Sequence, residues 1–215
     1  MRAKPLFFVL FYLLFLLGIA ELSLRLQQAF GPIYDLEFSD YDLSMISDVL
    51  NHQPSAESGY DANGIRLNRL RPPLGENEGA SRVLFMGDSF MMGYPDQHTI
   101  PQYIWEHLKE NGEPMSSLEF LNAGYTSYAP TIYIAQAKKI IPELKPDFVV
   151  IDIDESDLID DYSSYRPRLV LDEDQKIIGV KRSPIYTDKV KFLVGLQSHP
   201  LYTYRLLAMW YFRGI

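Results

Sequence analysis

The sequence predicts an α/β domain, a parallel sheet with crossover helices, standing behind one apolar N-terminal helix. Three observations carry this. From Arg82 onward, short apolar runs alternate with stretches of helical spacing, the pattern of strands joined by crossover helices. The first of those runs is closed by Gly87-Asp88-Ser89, a strand-to-helix turn. Ahead of all this, Pro5 to Ala20 reads PLFFVLFYLLFLLGIA without a charge.

That N-terminal segment has two readings. A basic start at Arg2 and Lys4, a short apolar stretch and a small-x-small end at Gly18-Ile19-Ala20 suit a cleaved signal peptide. The apolar pattern, however, continues through Leu22, Leu24 and Leu26. About 20 helical residues result, enough to span a bilayer with Glu21 at the interface, and this favours an uncleaved anchor through residues 5–24. A buried core helix fits poorly, because the stretch is apolar on every face. Arg2 and Lys4 precede the helix and no basic cluster succeeds it, so the N-terminus is expected in the cytoplasm and the main domain on the extracytoplasmic side.

The chain has 215 residues, 47% hydrophobic and 22% charged, which is the make-up of one medium globular domain. Its net charge of −8 would repel a polyanion, and no basic cluster interrupts that field, so nucleic acid is excluded as a partner. With no cysteine there is neither a disulfide framework nor a thiolate metal site.

In chain order, residues 1–26 form the anchor or signal segment. Residues 27–80, with Pro32, Pro54, Pro72 and Pro73 among many turn-forming positions, read as an irregular stalk and lead-in. Residues 81–215 make the α/β domain. In it Val83 to Met86 is a buried strand, Ile100 to Lys109 a helix stopped at Asn111-Gly112, and Leu118 to Leu121 a second strand. Ile132 to Leu144 reads as a helix, Phe148 to Ile153 as a third strand. Arg168 to Val180 suggests a hairpin with a solvated acidic tip, and Lys189 to Phe212 one or two amphipathic helices.

A serine nucleophile needs a fixed position at the mouth of a sheet, backbone N–H groups beside it and a base within reach. Gly87-Asp88-Ser89 can supply the first two, since Ser89 would face the crevice at a strand's carboxyl end, where open α/β sheets bind ligands. A bare Gly-Asp-Ser is a weak signal. Its weight comes from two further blocks downstream, at matching distances.

From about Asn63 to Asp161, roughly half its length, the chain resembles the SGNH/GDSL hydrolase superfamily, in particular envelope-facing members with an N-terminal anchor. Arg82-Val-Leu-Phe-Met-Gly-Asp-Ser-Phe90 corresponds to the first family block, which implies that Ser89 is the nucleophile. Asn122-Ala-Gly124 corresponds to the second and implies that the Gly124 N–H helps bind the oxyanion. Asn63-Gly-Ile-Arg66 resembles a lead-in segment of anchored members. The third block carries an Asn-Asp pair, where Ser156-Asp157 stands here, so the Ser156 hydroxyl would replace an amide donor. Losing one such donor costs on the order of 10²–10³ in rate.

The resemblance further implies a flavodoxin-like three-layer fold, ester hydrolysis or acyl transfer on an acylated envelope glycan or lipid, and no cofactor. Two departures stand against full activity. No Asp-x-x-His is present among His52, His98, His107 and His199, each of which reads as a surface or packing residue. Loss of a triad histidine costs around 10⁶ in turnover, which predicts a poor hydrolase. Strands 4 and 5 of the family sheet are also missing, so strand 3 is expected to be an exposed apolar edge unless the last segment or a second chain covers it; a truncated product would explain both departures.

Two other readings remain open. Phe148-Val-Val-Ile-Asp152-Ile-Asp154-Glu-Ser156 also resembles the first motif of haloacid-dehalogenase-type phosphatases, which implies Asp152 as nucleophile, Asp154 as general acid and a bound Mg²⁺. Only about 60 residues come after Asp154, too few for the rest of that fold, and Ser89 and Gly124 would go unexplained. Alternatively the acidic residues from Asp152 to Asp161 are solvated loop carboxylates, and the domain is a non-catalytic envelope binding or scaffold protein. Its 15 Tyr, 12 Phe and 2 Trp would suit carbohydrate stacking, although most such rings belong to a core.

Overall fold

The computed structural model describes residues 4–30, 43–54, 59–67, 80–93, 98–113 and 118–213. Arg2 and the parts of the expected stalk at 31–42 and 68–79 lie outside them. The chain divides into two compact units, 44–187 and a second one made of 1–43 with 188–215.

In the larger unit a three-stranded parallel sheet has β3 (Ser81–Met86) at its centre, flanked by β4 (Leu118–Asn122) and β5 (Phe148–Ile151). Val83 aligns with both Phe120 and Phe148, so the three carboxyl ends lie level. Alternation along the strands divides the core. Leu84, Met86 and Leu121 face the helix α4 (Pro130–Leu144) through Ile132, Ala135 and Ile140, while Val83, Phe85 and Phe120 face α3 (Ile100–Glu110) through Trp105 and Leu108.

Local chemistry fixes the helix ends. Thr99 caps α3 by accepting from Gln102 N–H at 3.1 Å, with Pro101 in the first turn. Ala129, before α4, has no side chain to offer, and Asp161 supplies the acceptor instead, at 2.9 Å from Thr131 N–H. Lys145 ends α4 in a left-handed conformation, after which Asp147 N–H returns to Arg82 O and starts β5.

The hairpin expected near 168–180 is present as β6 (Leu169–Leu171) and β7 (Ile177–Val180). Its acidic tip is built around Asp172, whose Oδ1 accepts the Asp174 and Lys176 N–H groups. The expectation of an apolar edge also holds: among the described residues β5 pairs on one side only, and Phe148, Val149, Val150 and Ile151 are all exposed.

The stalk expectation needs correction at its described parts. Residues 44–54 and 59–67 pack into the larger unit, with Leu50, Tyr60 and Ile65 buried in the α4-side core. A short pair, β1 (Ile46–Ser47) with β2 (Asn51–His52), leads in, and Val180 N–H donates to Val49 O. The turn-rich composition is a correct sign of irregular backbone, but buried Tyr60 and Ile65 hold that backbone to the sheet.

In the smaller unit α1 (Lys4–Phe30) is a single helix, long and apolar enough to cross a membrane over Phe7–Phe30, and it runs past the expected limit at residue 26. The last segment folds as two helices, α6 (Pro184–Gln197) and α7 (Tyr202–Arg213). Leu193, Leu196, Ala208 and Met209 form a small core there, with Leu24 of α1 against it. Arg205 closes the turn between the helices by donating to His199 O at 2.8 Å and Gln197 O at 2.6 Å.

Candidate functional site

The expected site residues all lie at the carboxyl end of the sheet, in the turns after β3, β4 and β5. After β3, Asp88 is buried and caps a four-residue helix, α2 (Ser89–Met92), by accepting from Phe90 N–H at 2.8 Å. Ser89 is the first residue of that helix and is exposed; its hydroxyl lies 3.3 Å from Asp88 Oδ2. As a first-turn residue it carries an N–H without an intrahelical acceptor.

Two glycines let α2 settle against the sheet. A Cβ on Gly87 would stand 2.6 Å from Met91 Cβ, and one on Gly124 would stand 2.7 Å from both Met91 Cβ and Met92 N. Any side chain at either position would push α2 away. The lead-in Arg66 secures its other end, donating to Met92 O at 2.7 Å and Gly93 O at 3.1 Å, a cation on the terminal carbonyls of a helix. The sequence marks Asn63 to Arg66 only by resemblance to a lead-in segment and assigns Arg66 no role of its own.

Gly124, the expected oxyanion donor, is engaged within the protein. Its N–H donates to Asn122 Oδ1 at 2.9 Å, while Asn122 Nδ2 donates to Met91 O at 2.9 Å. Asn122, 1% exposed, therefore ties the turn after β4 to α2 and occupies the N–H that was expected to meet an oxyanion. The reason is local: a buried Asn must satisfy its amide, and the nearest donor is two residues on.

Ser156 is engaged likewise. It lies in α5 (Glu155–Asp160), where Asp154 caps the helix in a reciprocal box with Asp157. Both the N–H and the hydroxyl of Ser156 donate to Asp154 Oδ1, at 2.6 and 2.7 Å. These bonds hold the Asp154 carboxyl below the usual carboxylate range. A hydroxyl has one proton to give, and this one is committed to the cap.

Behind these turns lies a pair that the sequence does not announce. Asp157 is 2% exposed and accepts from Tyr133 OH at 2.9 Å. Burial pushes its carboxyl up to about 6 against the lowering effect of that bond, and pushes the Tyr133 phenol above its ordinary range. The Asp152 carboxyl is raised too, by burial and then by the charges of Asp88 and Asp154. Four buried or half-buried carboxylates, Asp88, Asp152, Asp154 and Asp157, thus share the end of the sheet.

No histidine bonds Ser89 among the described residues. His52 is buried among Tyr125, Tyr128 and Tyr186; Nδ1 lies 2.7 Å from Asn51 Nδ2 and Nε2 lies 2.8 Å from Thr126 O. The amide can only donate and the carbonyl only accept, which assigns the neutral tautomer with its proton on Nε2. Burial lowers its pKa further. His98 pairs with Tyr103 OH, His107 with Asn111, and His199 accepts from Leu201 N–H.

The phosphatase arrangement fits these residues poorly. Asp154 Oδ1 is occupied by three hydrogen bonds, and among the described residues no three His, Asp or Glu are grouped to hold a metal ion. Compared with protein-family models, with curated proteins and with solved structures, the chain matches none.

Proposed function

We propose that this chain is a membrane-anchored domain of SGNH/GDSL type, whose Ser89 crevice receives an acyl ester of an envelope glycan or lipid. Its chemistry is ester hydrolysis or acyl transfer through Ser89, with low turnover from this chain alone. The observation that carries the reading is an exposed Ser89 opening the helix after the central strand, with Gly87 and Gly124 both seated on Met91. Ser89 Oγ would attack the acyl carbon with its own N–H at the oxyanion; the ester C–O bond would then break, the leaving alcohol would take up the serine proton through water, and water or an acceptor alcohol would release the acyl group from Ser89. The two other expected donors, Gly124 N–H and Ser156 Oγ, are bonded within the protein, and no histidine base is in reach among the described residues, which is the reason for low turnover.

On the same reading α1 crosses the membrane uncleaved, with Arg2 and Lys4 on the cytoplasmic side and the main domain in the envelope. A signal peptide cleaved after Ala20 is the competing reading, and the mass of the mature protein separates the two.

Burst release of p-nitrophenol from p-nitrophenyl acetate tests the site. The full chain in detergent should acylate slowly, Ser89→Ala should abolish the burst, and Asp152→Asn should retain it. Turnover of a phosphate ester with Mg²⁺ that depends on Asp152 would sink the proposal. The committed donors favour one second reading, a non-catalytic binding protein, and saturable binding of an acetylated glycan without any Ser89-dependent burst would establish it.

A further inference from the structure

The smaller unit carries a second apolar surface besides α1, and its chemistry names an occupant. Glu21, the only carboxylate in α1, accepts from Tyr202 N–H at 3.0 Å, Thr203 N–H at 2.9 Å and Thr203 Oγ at 3.1 Å, and it pairs with Arg25 at 2.8 Å. The first N–H groups of α7 have no partner within their own helix, and the helix dipole favours an anion there. Glu21 thus fixes the start of α7 beside α1, at the place where the uncharged stretch gives way to polar residues.

From that point α7 shows two faces. Arg205, Ala208 and Met209 are buried toward α6 and Leu24. Leu207, Trp210 and Tyr211, spaced three and four apart, are 68%, 65% and 68% exposed, and Tyr204 continues the stripe. Indole and phenol rings joined to a polar N–H or O–H belong at the boundary between headgroups and acyl chains. With 12 residues α7 is about 18 Å long, too short to cross a hydrocarbon layer of about 30 Å. In the same unit the Phe7 to Leu17 side chains of α1 are all exposed, and Glu21 joins the start of α7 to the end of that uncharged stretch.

We propose that α7 lies in the interfacial layer of the bilayer that α1 crosses, with Leu207, Trp210 and Tyr211 seated in the lipid. This rests on the reading of α1 as an uncleaved anchor. Two attachments hold the unit at the membrane on this view: a span, and a short helix tied to it by Glu21.

The absence of native cysteine makes a direct test simple. Single Leu207→Cys, Tyr211→Cys, Leu14→Cys and Glu173→Cys variants of the full chain carry a spin label in nanodiscs of phosphatidylcholine and phosphatidylglycerol. Collisions with oxygen report lipid, and collisions with a nickel chelate report water. The oxygen-to-nickel ratio is expected to be highest at 14, lowest at 173 and intermediate at 207 and 211. A lipid-like label at 14 with water-like labels at 207 and 211 overturns the interfacial helix and leaves the anchor. Low collision with both reagents at 207 and 211 overturns it too, since protein then covers the face. A water-like label at 14 removes the anchor and the inference together.

Discussion

The turns after β3 and β5 begin alike and end differently. Each leaves the carboxyl end of a strand, each uses an aspartate to cap the next helix, and each has a serine in the first turn. After β3 the serine is the first residue of the helix, and its exposed hydroxyl donates one long bond, 3.3 Å, to Asp88 Oδ2. After β5 the serine is the second, and Asp154 takes both its N–H and its hydroxyl. One position along a helix separates a hydroxyl held loosely by its capping aspartate from one held tightly. Residue type alone therefore says little about which serine can react.

The sharpest way to break this contrast is to move α2. In Gly124→Ala the added Cβ meets Met91 and the Met92 backbone, which should cost about 3 kcal/mol in urea unfolding and abolish Ser89 acylation. Full stability with normal acylation would show that α2 does not depend on this close approach.

Next in size is a pH effect confined to the β5 side. The folded-state carboxyl of Asp157 is raised to about 6, above the usual 3.8, so the folded protein binds the proton more tightly than the unfolded chain. Stability should fall as pH rises from about 4 to about 6, by about 1–3 kcal/mol, and the favourable contribution is fully present only below about pH 4. Asp157→Asn should flatten that slope while keeping an acceptor for Tyr133 OH. A slope unchanged in the variant would assign it elsewhere, with Asp152 the next group shifted in the same direction.

Smaller effects probe the caps themselves. Asp88→Ala should cost about 1 kcal/mol and slow acylation by freeing the first turn of α2. Asp154→Ala should cost less, because that cap is open to water. Smallest of all, Ser156→Ala should change stability by under about 0.5 kcal/mol and leave acylation intact, since its hydroxyl only supplements the N–H bond to the same oxygen. Loss of acylation in Ser156→Ala would restore Ser156 to the oxyanion site and remove the contrast between the two turns.

Much of the scaffold is legible because its signals are local. The apolar runs at 83–86, 118–121 and 148–153 become the three strands, the last ending two residues early at Ile151, and the helices at 100–110 and 130–144 begin and end within two residues of the pattern. The exposed strand at Phe148 to Ile151 is a consequence of counting strands. Side chains that choose between partners are not legible in the same way. Asn122 reads as a motif residue, and nothing in Asn-Ala-Gly says that its amide oxygen will take the Gly124 N–H. Residues 44–67 read as stalk because turn composition describes backbone shape and not the burial of Tyr60 or Ile65.

The sequence by itself determined an apolar N-terminal helix, a parallel sheet, glycines where α2 must approach the strands, and a serine at the end of the central strand. Periodicity and steric permission act within a few residues, so these are written in order along the chain. Only the tertiary structure decided that His52 Nε2 meets Thr126 O, that Asp157 meets Tyr133, and that Glu21 holds Thr203 across 182 positions. Each of these satisfies a buried or terminal polar group with whatever partner folding brings near, and that partner is set by packing rather than by spacing.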